Sequence, residues 1–254
     1  MTAIRPGTAT GSTDFPSSPD STGSVSSTDS ISSTGATVTR PVTGSVTPAT
    51  RVLLACSVAA APLFAVVSLA QAFTREGFDL TRHPLSMLAT GDLGWLQIAT
   101  FLISGALTVA GAVGLRRVMR GTPGGTWAPR LILVNGVTMA AAGVFVMDPA
   151  DGFPAGTPLG QTGTLSWHAL MHLVAGSIAF TALIVACFVL GRHFSRAGRP
   201  GFAAASRFSG LVFALGDGWA MSGGRAGSLT LAVGAITAMV WISVVAADKR
   251  AALR

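Results

Sequence analysis

Beyond residue 50 the chain breaks into six apolar stretches separated by short polar segments. They run from about Val52 to Phe73, Trp95 to Leu115, Leu131 to Met147, Trp167 to Leu190, Phe202 to Met221 and Ser228 to Ala247. Each is close to the ~20 helical residues that cross ~30 Å of hydrocarbon at ~1.5 Å rise per residue. The pattern predicts an all-α fold, a polytopic transmembrane helical bundle of six spans occupying residues 51–254. The fifth stretch is the weakest, because it holds Arg207, Asp217 and several glycines. Each charge lies near enough to one end to reach the interface. A re-entrant or surface segment is the alternative there, and it would leave the two termini on opposite sides. Residues 1–50 have a different pattern, dominated by Ser, Thr, Gly and Pro. So little there can be buried against ordering entropy that a disordered Ser/Thr-rich cytoplasmic tail is predicted.

Composition agrees with lipid as the main solvent. The 254-residue chain is 50% hydrophobic and 11% charged, with a mean hydropathy of +0.59, whereas soluble domains carry about 25% charged residues. The net charge of +7 raises nucleic acid as a partner, but the arginines fall in short clusters between apolar runs and form no long basic face. That distribution excludes a nucleic-acid partner and marks orientation instead. Arg116, Arg117, Arg120 and Arg130 lie between the second and third spans, and Arg192, Arg196 and Arg199 between the fourth and fifth. Arg40 and Arg51 precede the first span, and Lys249, Arg250 and Arg254 follow the last. An even number of spans with this alternation predicts a cell-membrane protein, in a bacterial inner or plasma membrane, with both termini cytoplasmic. Cys56 and Cys187 fall inside spans and support neither a disulfide framework nor a CxxC metal site. No cleavable signal peptide is evident near Met1. Glycines such as Gly105, Gly111, Gly136 and Gly143 are expected at close helix contacts, and Asn135 is expected to hydrogen-bond between helices.

With that orientation, the polar residues of interest collect on the outer side. They are Thr81-Arg82-His83-Pro84-Leu85-Ser86-Met87, Asp148-Pro149-Ala150-Asp151-Gly152-Phe153-Pro154, Trp167-His168 with His172, and Asp217. His168 and His172 are four apart, about one helical turn, and their shared face continues through Ala175, Gly176 and Ala179. Such a pair can bind a zinc-like divalent metal. A third ligand and an open position for water are then needed for catalysis. Asp148 and His83 are the first candidates, with Asp151 and Asp217 as alternatives or as acceptors that fix the imidazole tautomers. The competing reading has both histidines hydrogen-bonded to Asp148, Ser86 or loop carbonyls, holding an outer cap together. Pro149, Gly152 and Pro154 likewise suit a turn in which Asp148 or Asp151 accepts backbone bonds. Ser86 is a candidate nucleophile, a water-positioning group, or the N-cap of a short segment beginning at Met87.

His83-Pro84-Leu85-Ser86, Gly94-Trp95-Leu96-Gln97, Ala142-Gly143-Val144-Phe145 with Asp148-Pro149, Gly152-Phe153-Pro154 and the His168/His172 pair occur in this order. In these motifs the chain resembles the bacterial membrane family called domain of unknown function 998, over about residues 52–247. The resemblance implies six membrane spans and no particular reaction. It also suggests a distant analogy to the ceramidase and progestin-receptor-like superfamily, whose members look like intramembrane metal-dependent hydrolases using a Ser, an Asp and three His. Ser86, Asp148, His83, His168 and His172 supply those residue types. Six spans instead of seven depart from that superfamily, and Gly227-Ser228 stands where the 998 family leads one to expect Gln-Arg.

Two functions therefore compete. One is a metal-dependent hydrolase or transferase acting on a lipid amide or ester at the outer leaflet, with Ser86 and Asp148 catalytic and His168, His172 and His83 on the metal. The other is a non-enzymatic sensor whose outer cup binds a lipid head group or small molecule. A transporter has less support, since no inverted repeat or paired broken helices are seen. Two histidines one turn apart on one helix cannot both be axial ligands of one haem. Membrane lipid is the expected partner, and no protein partner is identifiable from the sequence.

Overall fold

The six apolar stretches fold as six helices in a computed structural model that describes residues 48–160 and 163–254. They are α1 (Pro48–Thr74), α2 (Gly94–Val118), α3 (Trp127–Val144), α4 (Trp167–Arg196), α5 (Pro200–Met221) and α6 (Gly227–Ala251). The predicted tail lies outside the described residues up to residue 47, and α1 already begins at Pro48. Most helices outrun their apolar stretch because polar residues continue the hydrogen-bond ladder past the hydrocarbon. α4 reaches Arg196, with His193 and Arg196 in its last turn, where cations suit the negative end of the helix dipole. Gly198 then takes φ +68°, and Pro200 opens α5 at a first-turn position where its missing N–H costs nothing. α3 is the exception. It ends at Val144 and not at Met147, shortly before Pro149, whose ring disfavours helix in the residue preceding it.

Each helix packs on the next, and α6 packs back on α1, so the six close into a ring. α1, α2, α3, α4 and α6 are long and apolar enough to cross a membrane; α5 has 22 residues but stands outside that group. Arg207, Asp217 and its Ser and Gly residues are the reason. It still occupies its place between α4 and α6 in the ring. The chain is a helical membrane protein. Helices meet where side chains are smallest. A Cβ on Gly105 of α2 would come within 2.7 Å of the Gly136 carbonyl of α3, and one on Gly136 within 2.9 Å of the Gly105 carbonyl. Without a hydrophobic force between helices in lipid, such approach supplies the dispersion that holds them.

The two ends of the ring differ in charge. One gathers the start of α1, α3 and α5 and the finish of α2, α4 and α6. Among the described residues it carries Arg51, Arg116, Arg117, Arg120, Arg130, Arg192, Arg196, Arg199, Arg207, Lys249, Arg250 and Arg254 against a single acid, Asp248. The opposite end carries Glu76, Asp79, Asp92, Asp148, Asp151 and Asp217 with Arg75, Arg82 and Arg225. These are the arginine end and the cap. Leu54, Leu115, Met119, Ile132, Leu190 and Phe194 fill the ring toward the arginine end. Phe64, Leu88, Phe101, Met139 and Phe153 fill it toward the cap.

Candidate functional site

Two loops interlock at the cap. The α1–α2 loop contains a short 3-10 helix, Leu85–Ala89, with Pro84 before it, so Ser86 lies inside this turn and does not cap a segment from Met87. The α3–α4 loop folds on itself: Ala150 and Phe153 exchange backbone hydrogen bonds, and the Asp151 N–H donates to Gly160 O. Asp151 sits at φ +54° and Gly152 at φ +90°, left-handed positions that let this tight turn close.

Asp151 is the meeting point of the two loops. Its carboxylate accepts Arg82 Nη2 at 2.5 Å and Nε at 3.1 Å, a two-pronged contact, and the Gly160 N–H at 3.0 Å. Its main-chain oxygen lies 2.9 Å from His83 Nε2, while His83 Nδ1 accepts the Asp79 N–H at 3.0 Å. A nitrogen that accepts an N–H carries no proton, so Nε2 must carry it and donate to Asp151 O. Both ring nitrogens of His83 are therefore committed. The ring is 1% exposed and packs between Phe78 and Phe153. Arg75 completes the lock, donating to Leu88 O at 2.6 Å and Thr90 O at 2.7 Å, its guanidinium 4.7 Å from the centre of the Phe153 ring. From α6, the Ser228 hydroxyl donates to Arg82 O at 2.8 Å.

A second group joins α3 to α4. Asp148 accepts the Ser166 N–H at 2.7 Å and the Ser166 hydroxyl at 2.6 Å, and Ser166 in turn N-caps α4 by accepting the Ala169 N–H at 3.1 Å. His172 is buried, and its Nδ1 lies 2.8 Å from Ala142 O and 2.7 Å from Phe145 O. With two carbonyls facing it, Nδ1 bears a proton and donates to them. His168 is exposed and stacks on Trp167 at 3.8 Å between ring centres. The shared inward face expected of His168 and His172 is thus realised only from His172 through Ala175 and Ala179.

The five residues proposed for metal chemistry do not converge. His83 belongs with Asp79, Arg82 and Asp151, whereas Asp148 and buried His172 belong to the α3–α4 junction, where His168 lies exposed beside Phe145. Among the described residues, no three His, Cys, Asp or Glu side chains form a group that could hold a metal ion. A three-ligand zinc-like centre does not fit this arrangement. Ser86 is half-buried and makes no side-chain hydrogen bond among the described residues. Asp217 stands half-buried on α5, away from both groups.

The electrostatics follow the hydrogen bonds. The Ser166 hydroxyl and N–H hold the Asp148 carboxyl below its usual range, with nearby His168 adding to the effect. The Arg82 contact, followed by the Gly160 N–H, does the same for Asp151, and the Thr81 hydroxyl and N–H for Asp79. Burial pulls the Arg75 guanidinium down, opposed by Asp92.

Arg75, Phe153 and Ser166 were not singled out from the sequence as site residues. Ser166 had a readable signal, a hydroxyl residue directly before an apolar run. Arg75 and Phe153 had none, since their contact joins residues far apart in the chain. Also unforeseen is a buried amide pair below the cap. Gln71 Nε2 donates to Gln97 Oε1 at 2.8 Å, and Ser68 bonds the same Gln97 side chain.

A family described as "Protein of unknown function (DUF998)" matches residues 58–248. No curated protein and no solved structure matches the chain.

Proposed function

The chain belongs to the DUF998 family, and on that premise we propose that it is a cell-membrane protein that binds a lipid head group or small polar molecule at its cap without turning it over. All six helices span the bilayer, both termini are cytoplasmic and the cap faces outward. The split of cations and acids between the two ends supports this orientation. One observation carries the binding reading: of the groups that hydrolysis would use, Asp148 and His83 are spent on holding the cap together, and the others do not converge with them. Asp148 is filled by Ser166, and His83 by Asp79 and Asp151. Left for a ligand are the Ser86 hydroxyl, exposed His168 and His172 Nε2, with exposed Trp95, Trp167 and Trp219 near the same end. Tryptophans at that depth suit the head-group region.

The test is a thermal-shift series on purified protein against a panel of lipid classes and small polar solutes. One class should raise the unfolding midpoint in the native protein and fail to do so in Ser86→Ala. No stabilisation by any class overturns the proposal. The same preparations should be assayed for lipid turnover and bound metal. Stoichiometric zinc lost in both His168→Ala and His172→Ala would restore the hydrolase reading.

A further inference from the structure

Midway along the bundle α1, α2, α3, α4 and α6 enclose a cavity of about 10 Å³. Four polar side chains line it: Ser57 of α1, Thr108 of α2, Asn135 of α3 and Ser243 of α6. Their hydrogen bonds leave gaps. Thr108 donates to Ser104 O at 2.8 Å, Ser243 donates to Ser57 O at 2.8 Å, and Asn135 Nδ2 donates to Ala179 O at 3.0 Å. The Asn135 side-chain oxygen and the Ser57 hydroxyl make no hydrogen bond among the described residues. One turn along α2 from Thr108, the Ser104 hydroxyl is fully buried and also without a partner.

Unpaired polar atoms at hydrocarbon depth are costly, because no lipid group can satisfy them. Apolar side chains flank the cavity along the bundle axis. Phe64 and Phe101, 5.6 Å apart between ring centres, lie on its cap side, and Leu54 and Leu115, both fully buried, lie on its arginine side. A buried water needs ~10–15 Å³ for its centre and two to four polar partners. The site supplies both.

We infer that this cavity is a binding site for a single water molecule that ties α1 and α3 together at mid-membrane. The water donates to the Asn135 side-chain oxygen and to a hydroxyl oxygen of Thr108 or Ser243, and it accepts from the Ser57 hydroxyl. The site is independent of the cap, so neither proposal depends on the other.

Ser57→Ala distinguishes a wet cavity from a dry one by the sign of its effect. If the hydroxyl bonds water, its loss lowers the apparent unfolding midpoint of the full chain in lipid nanodiscs by roughly 2–4 °C. If it is an unpaired buried hydroxyl, a methyl hydrogen in its place relieves a cost and the midpoint rises. A rise or no change overturns the inference. A structure of the full chain that resolves ordered water gives a second reading. A peak within hydrogen-bond distance of the Asn135 side-chain oxygen supports the site, and an empty or collapsed cavity overturns it.

Discussion

The cap and the arginine end use charge in opposite ways. At the cap, Arg75, Arg82, Asp148 and Asp151 are each paired by hydrogen bonds, and the Arg82–Asp151 contact joins two loops distant in sequence. At the arginine end most cations point outward, and the apolar packing beneath them does the holding. Arg116, Arg207 and Arg250 donate to Gly125 O, the Ser195 hydroxyl and Arg51 O, and Arg199 grips Asp248 with two bonds of 2.7 and 2.8 Å and lies 3.8 Å from the centre of the Phe202 ring. That bond to Asp248 raises its own pKa above the ordinary arginine value. Unpaired charge orients a membrane protein without fixing any partner, whereas paired charge fixes partners and contributes little to orientation. The cap loops should therefore respond more strongly to single substitutions and to pH than the unpaired cations of the arginine end.

The strongest challenge to this contrast is Phe153→Ala. Phe153 is 1% exposed and lies between Arg75, Phe78 and His83, so truncation should cost about 3–5 kcal/mol. An unfolding midpoint lowered by on the order of 10 °C is expected; a shift of a degree or less would mean the cap is not the packed unit described. Next in size is Asp148→Ala, which removes both acceptors of Ser166 and loosens the α4 cap, at about 1–2 kcal/mol. Hydrogen exchange should quicken at residues 167–170 and stay unchanged at the start of α5.

The third effect is the acid sensitivity of the cap loops. Asp79, Asp148 and Asp151 all have folded pKa values below their unfolded ones. Their stabilisation is complete above the unfolded value of about 4 and is lost as pH falls through the folded values. Because these groups are largely solvated, the loss is modest. Exchange should rise below about pH 4 in the cap loops and not in the α2–α3 loop, which has no carboxylate; equal acceleration at both would erase the distinction. Smallest of all should be Arg192→Gln, an exposed cation without a partner among the described residues, within about 0.5 kcal/mol of the native protein by the same midpoint measurement.

How far the chain could be read in advance follows the same division. All six helices were legible, because length and hydropathy need only neighbours along the chain. So was the weakness of α5, where Arg207 and Asp217 interrupt the apolar run. Asp148 and Asp151 could be recognised as important, but not that one holds Ser166 and the other Arg82. The i, i+4 spacing of His168 and His172 was real, yet it could not show that His172 is buried while His168 stays exposed. Ser57 drew no notice as a lone hydroxyl in an apolar run, and only the ring placed it opposite Asn135 across a cavity.

By itself the sequence determined that the chain is a helical membrane protein and that its cations and acids sit at opposite ends. Burial in lipid is a sum over residues, and the sum survives any arrangement of the helices. Only the tertiary structure decided which polar groups satisfy one another. A hydrogen bond depends on distances of a few tenths of an ångström between residues brought together from separate loops, and no local pattern encodes those distances.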